Sequence, residues 1–168
     1  MLVAAASTWE VRKNLSDIYK LSEMLSAEYQ VMVVGLSPIQ IEEALASVIA
    51  LPRTNSVEEL AQLYSAADVV LNLSSAETFG LITAEGMLCG TPSVVYNATA
   101  SPELVTPQIG RIVEQGDLAG VVKAVEELCA EDREEMRRRC RKLALEHFDR
   151  DDNYGKYIDL YKQLLSNK

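Results

Sequence analysis

The chain carries one histidine, His147, in 168 residues. That scarcity excludes a multi-histidine metal site and leaves imidazole-based acid–base schemes little to draw on. Cysteine is nearly as rare. Cys89, Cys129 and Cys140 are odd in number and include no Cys-x-x-Cys pair, so neither a disulfide framework nor a zinc site is expected. Reduced thiols and a cytoplasmic location are the simplest expectation. Basic residues are outnumbered, with 16 Lys and Arg against 25 Asp and Glu and a net charge of −9. A general nucleic-acid binder needs a basic surface, so that class is excluded, while a small anionic ligand in one local pocket is not. No run approaches the roughly 18 apolar residues needed to span a bilayer. Met1–Ser7 lacks the charged segment and long apolar core of a signal peptide.

What is present is a regular alternation. Short apolar runs predict strands at Leu2–Ala6, Val31–Val34, Val48–Leu51, Val69–Leu73, Ser93–Tyr96 and Gly110–Glu114. Helical spacing fills the intervals. Helices are expected over Leu15–Tyr29 and over Ile39–Ala46, which Pro38 opens. Another runs from the capping-box pattern at Ser56–Glu59 to Ala67, and Phe79–Cys89 is ended by Gly90. Asp117 and Asp132 open two more, to Ala130 and about His147, and Arg150–Leu165 closes the chain. Strands alternating with helices imply a doubly wound, Rossmann-like α/β fold with a parallel sheet covered on both faces. With 48% hydrophobic residues and no repeat or linker, residues 1–168 read as one domain. Its first strand starts almost at residue 1, so a piece of a longer protein is expected.

In open parallel sheets ligands bind outside the carboxyl ends of the strands. The candidate loops follow Ala6, Val34, Leu51, Leu73 and Tyr96. The richest is Ser74-Ser-Ala-Glu-Thr-Phe-Gly-Leu-Ile-Thr-Ala-Glu85, which leaves a strand and enters a helix. Backbone N–H groups of Phe79, Gly80 and Leu81 fall at the expected helix start, where anions are favoured. Gly80 permits close approach to that backbone. Glu77 precedes the helix and Glu85 lies two turns inside it, and carboxylates accept paired hydrogen bonds from sugar hydroxyls. Two solvated surface glutamates would give the same pattern.

Glu77 and Glu85 form the Glu-x7-Glu pattern of family 4 retaining glycosyltransferases of the GT-B fold, which this stretch resembles. Ala84-Glu-Gly-Met-Leu-Cys-Gly-Thr-Pro-Ser-Val-Val95 is similar to that family's Glu-Ala-Met-Ala-Cys-Gly-Thr-Pro-Val-Val block. Glu58–Val69 resembles its helix-to-strand approach, and Ser101-Pro-Glu-Leu-Val105 its Gly-Gly-x-Pro-Glu loop. The motifs run in order across essentially the whole chain, as in the family's C-terminal, nucleotide-sugar-binding half.

The resemblance implies roles. Glu85 binds the ribose hydroxyls. Glu77 lies beside the donor sugar and is the implied catalytic group. Thr78, Phe79, Gly80 and Leu81 border the sugar and diphosphate. Arg12 and Lys13 match the basic segment after the first strand, with Lys13 neutralising the diphosphate. The implied ligand is a nucleotide diphosphate sugar, a UDP- or GDP-sugar, with no cofactor and no metal. The implied partner is an N-terminal GT-B domain that supplies the acceptor site and that this chain lacks; without it the chain alone is expected to be inactive. The chain departs from the pattern at Ser7, where arginine is usual, at Asn14, where glycine is usual, and at Thr99-Ala100-Ser101, which replaces a glycine pair. A non-catalytic nucleotide- or partner-binding module, or half of a nucleotide-sugar epimerase, would share much of this architecture.

Other features read as structural. Glu131–Lys142 has acids first and bases last, with Glu134/Arg138 and Glu135/Arg139 four apart, which suits a solvated helix. A basic membrane-docking patch is the alternative reading of the same charges. Tyr154, Tyr157 and Tyr161 are expected to form a packing stripe, with Tyr157 near the absent domain. The three cysteines are expected as small buried apolar groups. His147 is expected at a helix end. Trp9 is expected either to line the site or to cover an edge.

Overall fold

The structure is a computed structural model and describes residues 1–166. Within them, β1 (Leu2–Ala5), β2 (Val31–Val34), β3 (Val48–Leu51), β4 (Val69–Asn72), β5 (Ser93–Tyr96) and β6 (Gly110–Val113) form one sheet in the order β3-β2-β1-β4-β5-β6. All neighbouring strands are parallel, with Leu2 opposite both Val31 and Val69. This is the doubly wound order, whose crevice opens where the chain changes direction between β1 and β4.

The four-residue strands β1, β2, β4 and β5 are buried throughout, as expected of strands covered on both faces. Side chains alternate between two cores. Leu2, Ala4, Val31, Val33 and Leu71 face α1 (Leu15–Met24) and α5 (Leu118–Cys129), meeting Ile18, Leu21, Val121 and Val125. Val3, Ala5, Met32, Val34 and Val70 face the other way, against Tyr64 and Leu60 of α3 (Val57–Ala66) and Ile82 of α4 (Leu81–Leu88). The short α2 (Pro38–Glu42) links β2 to β3. Met136, Cys140 and Ala144, four apart along α6 (Arg133–Phe148), close the first core. The last helix, α7 (Arg150–Ser166), runs on from α6.

Several boundaries moved for local reasons. The first helix stops at Met24, because Leu25 is extended and Ser26–Tyr29 forms a turn. The helix after Pro38 ends at Glu42, but carries a complete capping box between Ser37 and Gln40 that the sequence reading missed. At Ser56 the box is incomplete: Ser56 accepts from the Glu59 N–H, while Glu59 reaches back to the Asn55 N–H at 2.8 Å. A 3₁₀ turn, Val11–Lys13, occupies a stretch read as loop.

The structural readings fare unevenly. Tyr154, Tyr157 and Tyr161 are about 60% exposed rather than packed, because α7 lays no face on the sheet. Cys140 is buried, but Cys89 is half-buried and Cys129 exposed. Arg139 pairs with Glu135 at 3.9 Å as the spacing predicts, whereas Arg138 pairs with Glu135, three residues back, in place of the expected Glu134. Arg133 and Arg137 donate to the carbonyls of Ala66 and Ser65, so these bases tie α6 to the end of α3. Among the described residues no helix is long and apolar enough to cross a membrane.

Candidate functional site

A cleft of about 1030 Å³ lies along the carboxyl ends of the strands. Its walls come from the loops after β1 (Ser7, Thr8, Lys13), β2 (Gly35), β3 (Arg53–Val57) and β4 (Ala76–Leu81), with Tyr64 and Glu85 beneath. A smaller hollow of about 240 Å³, between Met1, Asp68, Pro92 and Arg133, sits at the amino ends of the strands, where parallel sheets do not place ligands.

Gly35 shapes the floor. It has φ +93°, and a Cβ there would lie 1.7 Å from the Ala6 carbonyl oxygen, so the chain leaving β2 passes the chain leaving β1 at a separation only glycine allows. Across the cleft, Gly80 has φ +96° and caps α4. The helix therefore starts at Leu81, two residues later than the sequence suggested, because a left-handed residue cannot sit inside a right-handed helix. Leu81 and Ile82 of its first turn, where N–H groups lack intrahelical partners, both line the cleft. Phe79 falls outside the helix, and its ring meets Phe148 edge-on at 5.6 Å. Thr78 and Leu81 are exposed on the cleft wall.

Lys13 and Glu77, assigned to different parts of a ligand, touch each other. Lys13 Nζ donates to Glu77 Oε1 at 2.5 Å, with side-chain exposures of only 15% and 9%. Arg12 Nη1 stands 3.6 Å from Glu77 Oε2 and donates to the Ala76 carbonyl at 2.9 Å. Thus the loop after β1 and the loop after β4 are locked together. Asn14 adds to the lock. It takes a left-handed conformation at φ 50°, which asparagine tolerates, and its amide donates to the Leu73 carbonyl at 2.8 Å.

Glu85 projects from α4 toward the cleft and accepts from the Tyr64 hydroxyl at 3.2 Å. Burial raises the Glu85 pKa, an effect the Tyr64 hydrogen bond partly offsets. Tyr64 itself is 1% exposed, and its phenol pKa is pushed up by burial and by the neighbouring Glu85 carboxylate. Beneath Gly80, buried Asn72 donates to Thr83 Oγ1 at 3.0 Å.

All eight predicted site residues line this cleft: Arg12, Lys13, Glu77, Thr78, Phe79, Gly80, Leu81 and Glu85. Ser7, one of the departures, lines it too. Trp9 does not; its indole N–H donates to the carbonyl of Val34 at the end of the interior strand β2 at 3.0 Å, and its ring packs on the core. His147 is exposed in the last turn of α6 and does not line the cleft; its ring lies 6.2 Å from that of Phe148, the residue that meets Phe79. Neither the wall Arg53–Val57 nor Tyr64 was singled out as a site, although the capping-box pattern covers Ser56 and Val57 and Tyr64 lies within the Glu58–Val69 resemblance. The strand-end rule alone pointed to that loop as part of a site. Among the described residues no cluster of His, Cys, Asp or Glu has metal-binding geometry.

A parallel sheet in the doubly wound order, with a carboxyl-end cleft lined by a helix N-terminus and a lysine, defines a Rossmann-like α/β domain. Residues 3–147 match the family of glycosyl transferases group 1, and the chain belongs to that family. It is 36% identical over 89 residues to a GDP-mannose-dependent alpha-(1-6)-phosphatidylinositol dimannoside mannosyltransferase of Mycobacterium tuberculosis, covering 53% of this chain and 23% of that protein. It is 29% identical over 111 residues to N-acetyl-alpha-D-glucosaminyl L-malate synthase of Bacillus anthracis, covering 64% and 29%. The fold superposes on Anabaena HepE in complex with UDP with a TM-score of 0.81 at 19% identity, over 96% of this chain and 48% of that one. Sucrose-phosphate synthase of Thermosynechococcus elongatus gives 0.80 at 24% identity, over 99% and 46%. The chain thus spans less than a third of these two curated relatives and about half of the structural neighbours.

Proposed function

We propose that this chain is the C-terminal, donor-binding half of a family 4 retaining GT-B glycosyltransferase, working inside the cell on a nucleotide diphosphate sugar. The observation that carries the reading is the arrangement of Glu77 and Glu85 on either side of the α4 N-terminus, with Lys13 on the facing wall of the same cleft. Glu85, fixed by Tyr64, accepts from the ribose hydroxyls. The diphosphate lies between Lys13 and the α4 N–H groups, which stabilise the charge that develops as the nucleoside diphosphate leaves. Glu77 borders the donor sugar and is the catalytic carboxylate. HepE, solved with UDP and with UDP-glucose, supports a nucleotide-sugar ligand.

The acceptor site belongs to an N-terminal domain absent from this chain. The length of the relatives supports that division, as does the exposed apolar side of α7, where Tyr157, Ile158 and Tyr161 are each more than half exposed. Half a cleft cannot orient two substrates, so the chain alone transfers no sugar. Calorimetric titration with UDP, GDP, ADP, UDP-glucose and GDP-mannose tests the assignment. One nucleoside diphosphate should bind, with its sugar conjugate distinguished from it. Silence toward the whole panel would sink the reading.

A further inference from the structure

Two described non-glycine residues have positive φ, and they differ in kind. Asn14 is a residue type that tolerates the left-handed region. Thr99, at φ 47°, is not, because its branched Cβ crowds the backbone there. Such a conformation persists where surrounding contacts over-determine it. Here the contacts are visible. Thr99 Oγ1 accepts from the Glu77 N–H at 2.8 Å and donates to the Glu77 carbonyl at 2.9 Å. One hydroxyl, from the loop after β5, thus satisfies both backbone groups of a residue 22 positions away. The Glu77 side chain is held from the opposite side by Lys13 and Arg12. Glu77 is therefore gripped at its backbone by β5 and at its carboxylate by β1, in a loop that otherwise has exposed Thr78 and Phe79 as its next residues.

We infer that Thr99 is a positioning residue, whose strained backbone and two-way hydroxyl hold the Glu77 carboxylate in register with the donor sugar. The inference rests on the proposed role of Glu77. It makes the loop after Tyr96 a part of the site although Thr99 does not line the cleft. It also gives the replacement of glycine at this position a function: glycine would relax the backbone but would bring no hydroxyl.

The test compares Thr99→Ser, Thr99→Gly and Thr99→Ala in this chain. Two readouts are used: the affinity ratio of sugar conjugate to bare diphosphate, with UDP-glucose over UDP and GDP-mannose over GDP, and amide hydrogen exchange across Ala76–Gly80. Thr99→Ser keeps both hydrogen bonds and should leave the ratio and the exchange at parental values. Thr99→Gly removes strain and should melt no lower than the parent, yet lower the ratio about ten-fold, the effect expected for losing one to two hydrogen bonds' worth of positioning. Exchange at Thr78 and Phe79, which Thr99 does not bond, should also quicken about ten-fold. Thr99→Ala should behave like Thr99→Gly, with lower stability. A ratio unchanged in Thr99→Gly, or lowered equally in Thr99→Ser, overturns the inference. If the parent prefers neither sugar conjugate, the assignment of Glu77 to the sugar fails instead. Exchange then decides alone, and an unchanged rate at Thr78 and Phe79 overturns the holding role.

Discussion

Neutralising Glu77 should tighten the binding of a bare nucleoside diphosphate. Lys13, the residue proposed to meet the diphosphate, is already engaged by Glu77 at 2.5 Å in a nearly buried pair. A diphosphate arriving at Lys13 meets the Glu77 carboxylate just behind it. Across this ion pair and one further charge-assisted hydrogen bond, a phosphate on Lys13 would stand about 6 Å from the carboxylate. The Coulomb repulsion per unit charge is then about 0.7 kcal/mol at an effective dielectric constant of ~80, and about 1.4 kcal/mol at ~40. Glu77→Gln removes it while keeping the side-chain shape and the backbone grip from Thr99. UDP or GDP affinity should rise roughly three- to ten-fold. The sugar conjugate should gain less or lose, because the amide is a weaker acceptor for its hydroxyls. Calorimetry at low salt measures both. At about 1 M salt, where the screening length in bulk is roughly 3 Å, the gain for bare diphosphate should shrink but persist in part, because the pair is nearly buried. Unchanged or weaker diphosphate binding by Glu77→Gln would refute the reasoning, since the phosphates would then not lie beside this pair.

Three further expectations follow from the same geometry. Lys13→Ala should weaken UDP about ten-fold while sparing uridine, and should flatten the salt dependence; equal losses for both ligands would remove Lys13 from the phosphate site. Glu85→Gln should cost less against 2′-deoxy-UDP than against UDP. Because burial raises the Glu85 pKa, UDP-glucose affinity should fall on acidification before an ordinary glutamate would protonate, and the variant should lose that pH dependence. The sign for stability is opposite: the fold favours the protonated form, so this group's contribution declines as pH rises through the raised pKa. Gly35→Ala, which drives a Cβ into the Ala6 carbonyl, should cost roughly 2–5 kcal/mol in a urea melt. Gly116→Ala, also at positive φ but with open space around it, should cost only about 1 kcal/mol.

The sheet was legible because its signals are local. Val31–Val34 reads as a buried parallel strand and is one, since a run apolar at every position suits only a strand covered on both faces. The helix ends were less legible. Gly80 looks like an ordinary residue of a helical run until its left-handed φ is known. Glu77, Glu85 and Lys13 were legible as residue types after strands, but their mutual contacts were not. The Lys13–Glu77 pair joins positions 64 apart, and its distance depends on how β1 and β4 lie side by side in the centre of the sheet. Thr99 was noted only as a missing glycine. Its hydroxyl mattered because β5 follows β4 in the sheet and brings the two loops together. The stripe Tyr154, Tyr157 and Tyr161 failed as packing because periodicity reports an apolar face without saying what covers it.

Trp9 is the only tryptophan in the chain. It is half-buried, its indole is tied to the Val34 carbonyl, and its neighbours Thr8 and Glu10 both line the cleft. Val34 lines it as well. The emission of a single indole follows the polarity and the hydrogen bonding around its N–H. A ligand that presses on the loop after β1 or shifts the end of β2 alters both. The domain therefore carries one optical reporter at the rim of its own cleft, and its seven tyrosines and two phenylalanines can be left unexcited by choosing a wavelength that only the indole absorbs.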